Sequence, residues 1–149
     1  MDTAEFKPII KVKSHLKDFK LKYQTSGSSG FDIPSLAELM IMPGSFELVP
    51  TGLSFEIPEG YEVQIRPRSG LAARHGITVL NAPGTIDSDY RGPIGVILVN
   101  HSPEPFKVTA GMRIAQGVVQ KVQQVDFEYV DEISQDTKRG SGGYGSTGL

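Results

Sequence analysis

Short apolar runs divided by glycine and proline set the rhythm of this chain. The runs "IIKVK" (9–13), "SFELV" (45–49), "LSFEI" (53–57), "YEVQIRP" (61–67), "IGVILVN" (94–100) and "RIAQGVVQKV" (113–122) have strand lengths, and 17 Gly and 10 Pro separate them at turn-rich intervals. In the fourth run Tyr61, Val63 and Ile65 alternate with Glu62, Gln64 and Arg66, which buries one face and hydrates the other. The pattern predicts an all-β domain, a jelly-roll-like barrel or sandwich. Two segments read as short helices: "PSLAELM" after Asp32, and "SGLAARHG" after Arg68, with Ser69 as amino cap and Gly76 as carboxyl cap. "ITVLNAPGTID" reads as a hairpin, with Pro83 and Gly84 at the centre of a type II turn. From about Val130 the apolar pattern stops, so a β domain over 1–129 is expected to carry a flexible glycine-rich arm over 130–149.

Composition removes several classes of function. A length of 149 residues suits one domain with a usable core. The net charge of -2 and a pI near 5.9 give no general attraction to a polyanion, so extended nucleic acid is not an expected partner. The absence of cysteine excludes disulfides, thiolate nucleophiles and thiolate metal sites. His15, His75 and His101 lack metal-ligand spacing. The longest apolar run, "IGVILV", is too short to span a bilayer, and cytoplasmic residence is the expectation.

Three stretches carry candidate chemistry. "NAPGTIDSDYRG" (81–92) concentrates Asp87, Asp89, Tyr90 and Arg91, a set that suits catalysis and equally suits turn caps and an Asp–Arg pair. "RPRSGLAARHG" puts Arg66, Arg68 and Ser69 at a helix start, where free amides and the dipole favour a phosphate; solvated arginines beside a capped helix are the plainer reading. "RGSGGYGSTG" (139–148) has backbone amides able to approach phosphate oxygens, with Arg139 for charge and Tyr144 for stacking, although glycine-serine tails are usually linkers.

Together "SGSSGFDI", "RPRSGLA", "NAPGTIDSDYRG", "GMRIAQ" and "RGSGGYGSTG" resemble the five ordered motifs of the trimeric dUTP diphosphatases, the dUTPases, over nearly the whole chain. The resemblance implies a jelly-roll homotrimer, with active sites shared between chains, that hydrolyses dUTP to dUMP and pyrophosphate with Mg2+. Such an activity limits uracil incorporation into DNA and supplies dUMP for thymidylate synthesis. By the resemblance Asp87 orients and deprotonates the attacking water. Asn81, Gly84, Thr85 and Ile86 form the uracil hairpin, Tyr90 lies under the deoxyribose, and Tyr144 covers the base. Arg68, Ser69, Gly70, Gln116, Arg139 and Ser141 bind phosphates, and Asp32 reaches the metal through water. Asp89 is expected as a structural partner rather than a second base.

The chain departs from the family pattern at two places. Tyr144 stands where phenylalanine is common, which preserves stacking and adds a hydroxyl. Pro93 stands where bacterial relatives often have glutamate, and it suggests a strand start or edge. Two alternatives belong to other classes: a dCTP deaminase of the same fold, against which the "IDSDYRG" pattern with its tyrosine argues, and a non-catalytic, nucleotide-responsive module, against which Asp87, Tyr90 and the complete arm argue.

Overall fold

The computed structural model describes residues 6–148; the first five residues of the expected domain and Leu149 of the expected arm lie outside them. The apolar runs become antiparallel strands: β1 (Lys11–Ser14), β2 (Phe31–Pro34), β3 (Leu39–Ile41), β4 (Phe46–Pro50), β5 (Leu53–Glu56), β6 (Tyr61–Arg66), β7 (Ile77–Val79), β8 (Gly84–Ile86), β9 (Gly95–Asn100), β10 (Phe106–Val108) and β11 (Arg113–Lys121). Among the described residues a single helix, α1 (Ser69–His75), stands between β6 and β7. The strands form sheets ordered β2-β11-β6-β8, β4-β9-β7, β1-β5 and β10-β3, a jelly-roll-like arrangement. No helix among the described residues is long and apolar enough to cross a membrane.

The alternation read in β6 is realised. Val63 and Ile65 are buried in a core shared with Ile33, Val96, Leu98 and Ile114. Burial of each such side chain stabilises the fold by about 1.5–3 kcal/mol. On the opposite face the polar set links itself, Gln64 donating to Glu62 Oε1 at 2.7 Å and Arg66 Nη2 donating to Gln64 Oε1 at 2.8 Å. Arg66, expected beside a phosphate, is therefore turned along the sheet surface.

Buried polar groups find partners. Asn100 Nδ2 donates to the carbonyls of Ile41 (3.0 Å) and Glu104 (2.7 Å), and its Oδ1 accepts from Ser102 N–H. The end of β9 is thereby tied to β3 and to the turn before β10.

Three local expectations are corrected. "PSLAELM" forms no helix: Pro34 ends β2, the Ser35 hydroxyl donates to Ala37 O and accepts from Ala37 N–H, and Leu39 enters β3 opposite Val108. A serine turn and a distant strand partner outweigh the weak propensity of seven residues. In α1 the amino cap is Arg68, in extended conformation with no side-chain cap bond, so Ser69 is the first helical residue. Gly76 does close the helix, at φ 64°. The expected hairpin also divides: β7 pairs with β9 and β8 pairs with β6, so the two strands belong to different sheets. The Ala82–Pro83 bond is cis, and Gly84 is absent from the left-handed region that a type II turn requires. Glycine suits position 84 for another reason, since a Cβ there would lie 3.2 Å from Ile65 Cβ on β6.

Candidate functional site

The sheet β2-β11-β6-β8 places the candidate residues, in two groups. At one end of β6 the register aligns Asp32 of β2, Gln116 of β11 and Arg66 in one row. Gln116 Nε2 donates to Pro67 O at 2.9 Å, which holds the segment leading to Arg68. Gly30 makes room for that amide, because a Cβ there would fall on Gln116 Oε1. Asp32 lies between two guanidinium groups, Arg68 Nε at 3.2 Å from one oxygen and Arg113 Nη1 at 3.3 Å from the other. Arg68 Nη1 also donates to Arg113 O at 3.0 Å, so the two arginines and the aspartate form one unit. A cavity of about 330 Å³ adjoins it, lined by Lys20, Lys22, Gln24, Asp32 and Arg113 among others. Ser69 and Gly70 follow Arg68 in the first turn of α1, which contains no acidic residue.

Arg113 was not singled out from the sequence, although it stands inside "GMRIAQ" three residues before Gln116. Its role becomes visible only when β11 pairs with β2.

The second group sits at the other end of β6. Ile86 pairs with Val63, so Asp87 emerges near Glu62, about 13 Å along the strand from Arg66 at ~3.3 Å per residue. Asp87 and Asp89 line an open cleft of about 810 Å³ with Glu59, Glu62 and Arg91. Among the described residues neither carboxylate has an ion-pair or side-chain hydrogen-bond partner. The Asp–Arg pair weighed from the sequence does not form, because Arg91 Nη1 donates instead to the carbonyls of Ser88 and Tyr90. Tyr90 is half-exposed, and its hydroxyl donates to Pro93 O at 2.8 Å. Pro93 lies just ahead of β9, in keeping with a strand start. Thr85 and Ile86 belong to β8, the edge of its sheet, and Asn81 Nδ2 lies 3.5 Å from where a Cβ of Gly84 would be.

The arm joins neither group within this chain. Residues 122–148 hold no helix or strand, Tyr144 is fully exposed, and Arg139 Nε donates to Gly142 O at 2.8 Å within its own loop. Ser141 is likewise exposed.

Fold and site put the chain in the class of jelly-roll-like β proteins with a carboxylate-and-arginine unit at a sheet surface. Within that class it belongs to the dUTPase family, whose model matches residues 19–148. A deoxyuridine 5'-triphosphate nucleotidohydrolase of Nautilia profundicola is 60% identical over 126 residues, 85% of this chain and 88% of that protein. A mutant dUTPase of Staphylococcus bacteriophage 80alpha, solved with dUpNHpp, has a similar fold, with TM-score 0.85 at 22% identity over 95% of this chain and 99% of that one. A mutant dUTPase from phage phi11 of S. aureus, whose structure concerns coordination of a structural Mg(II) ion, gives TM-score 0.75 at 20% identity over 83% of this chain and 97% of that one.

Proposed function

We propose that this chain is a dUTP diphosphatase in which Asp87 orients and deprotonates the water that attacks the α-phosphorus of dUTP, releasing dUMP and pyrophosphate. The observation that carries the assignment is family membership over residues 19–148. The free carboxylate of Asp87 in an open cleft supports its role, since a base needs lone pairs that no arginine occupies. β8 supports the base site. As an edge strand it has backbone groups on its outer side free to pair with a uracil edge, and Asn81 flanks it. Tyr90 faces the sugar, and Tyr144 stacks on the base from the arm. Arg68, Ser69, Gly70 and Gln116 hold phosphate, and Arg139 and Ser141 clamp it.

The donor set fits Mg2+ brought in with the triphosphate. Among the described residues no three His, Cys, Asp or Glu side chains cluster to hold a metal, so Asp32 would reach the ion through water. Bound there, Mg2+ would neutralise charge on the phosphate oxygens. Asp32 is already compensated by two guanidinium groups, and a triphosphate gives those groups an alternative partner.

The domain division at Val130, cytoplasmic residence and a homotrimer with sites shared between chains belong to the same proposal. Sharing is supported by the separation of the Asp87 and Arg68 groups along β6 and by the solvent-facing arm. Val125, Phe127 and Tyr129 alternate with Asp126 and Glu128 and are 61%, 82% and 97% exposed, a strand-like apolar face left uncovered by its own chain. Pyrophosphate release from dUTP tests the function. Ammonia from dCTP would instead favour a deaminase, and nucleotide binding without turnover would favour a binding module.

A further inference from the structure

The side chain of Tyr90 occupies space that any residue but glycine would fill at position 92. A Cβ on Gly92 would lie 2.6 Å from Tyr90 Oη, 2.7 Å from Cζ and 3.0 Å from Cε2. All three are well inside the ~3.5 Å of ordinary contact. Gly92 has no left-handed backbone, so its use here is room rather than conformational freedom. The hydroxyl of the folded-back ring ends on Pro93 O at 2.8 Å. That carbonyl is well anchored, because the next residue, Ile94, is 2% exposed and donates from its N–H to Leu53 O at 2.8 Å. The rest of the loop is also closed on itself, with Tyr90 N–H donating to Asp87 O at 3.2 Å and Arg91 bonding to the Ser88 and Tyr90 carbonyls.

We infer that Gly92 and the Pro93 carbonyl form a seat that fixes the Tyr90 ring, and that this seat sets the discrimination of deoxyribose from ribose. The inference rests on the proposed role of Tyr90 beneath the sugar. Steric exclusion of one hydroxyl requires the excluding surface to stay within a fraction of an ångström, and a half-exposed tyrosine without a seat exchanges among rotamers. Gly92 supplies the slot, and the Pro93 carbonyl supplies the stop. Both are positioning residues; neither needs to touch the nucleotide.

The test compares specificity constants for dUTP and UTP in the wild type, Gly92→Ala, Tyr90→Phe and Tyr90→Ala, together with spectra of protein carrying 13C-tyrosine. The Tyr90 resonance is assigned by its loss in Tyr90→Phe. In Gly92→Ala the added methyl displaces the far end of one side chain, so the fold is retained, the Tyr90 resonance moves, and the dUTP-to-UTP ratio falls about tenfold or more. The change is expected mainly in KM. Tyr90→Phe, which keeps the ring and loses the stop, lowers the ratio about fivefold, the scale of one neutral hydrogen bond. A shifted Tyr90 resonance with a wild-type ratio in Gly92→Ala overturns the seat, as does an unchanged ratio in Tyr90→Phe. A wild-type ratio in Tyr90→Ala would instead overturn the sugar role of Tyr90 itself, and the seat with it.

Discussion

Two aspartates in this chain have opposite surroundings, and their chemistry should differ accordingly. Asp87 has no cationic partner among the described residues, whereas Asp32 has two. Replacing Asp87 with Asn keeps the shape and removes the base. Turnover of dUTP is expected to fall by about 10²–10⁴-fold while a non-hydrolysable analogue still binds in a calorimetric titration. Near-normal single-turnover rates would displace Asp87 from its role. Asp32→Asn should act on metal use, raising several-fold the Mg2+ concentration for half-maximal pyrophosphate release. Its effect on stability should be small, because the side chains of Arg68 and Arg113 are 34% and 53% exposed and such pairs contribute about 0–1 kcal/mol. Asp87 and Asp32 both stand in motifs visible along the sequence, which makes them candidates before any fold is known. The pairing of Arg113 with Asp32 has no such local signal, since the two lie 81 positions apart and meet only in the folded sheet.

Among the elements, strands were easier to read than their connections. The alternation of β6 and the runs that became β5, β9 and β11 report burial directly, whereas in β4 only Val49 is buried and Phe46 and Leu48 are exposed. The pairing partners of β3, β7 and β8 are set by the whole sheet arrangement, which no local pattern contains. "PSLAELM" and the Pro-Gly hairpin were misread for that reason. Where sheets meet, Asn100 offers a test: Asn100→Ala leaves the Ile41 and Glu104 carbonyls and the Ser102 amide without their partner and should cost about 3 kcal/mol in urea unfolding. The small β1-β5 sheet offers a second. Lys11 Nζ lies 2.8 Å from Glu56 Oε2, and its hydrogen bond and charge hold the Glu56 carboxyl below the ordinary carboxylate value. A depressed folded pKa adds stability above the unfolded pKa and loses it as pH falls through the folded value. The pair is exposed and screened, so the expected readout is local: in Lys11→Ala the Glu56 carboxyl should titrate higher, toward the ordinary carboxylate value, by NMR.

At the scale of the whole molecule, the proposed site draws on more than one chain. β8 runs along β6 from Ile65 to Val63, so Asp87 emerges at the end of β6 away from Arg68 and Asp32, and the Arg139–Tyr144 segment stands in solvent. The segment from Val130 to Leu149, at roughly 3.3 Å per extended residue, spans on the order of 60 Å, enough to cross a neighbouring subunit. On the proposed role of the arm, its arginine and amides would gain a phosphate partner only when substrate is present, which would couple closure to binding. The direct measurement mixes two inactive proteins, Asp87→Asn with an intact arm and a chain truncated before Lys138 with an intact Asp87, and follows pyrophosphate release from dUTP. Mixed assemblies should regain part of the activity by pairing the intact Asp87 of one chain with the arm of another. Verified mixed assemblies with no recovered activity, or a truncated protein active by itself, would contradict the shared site.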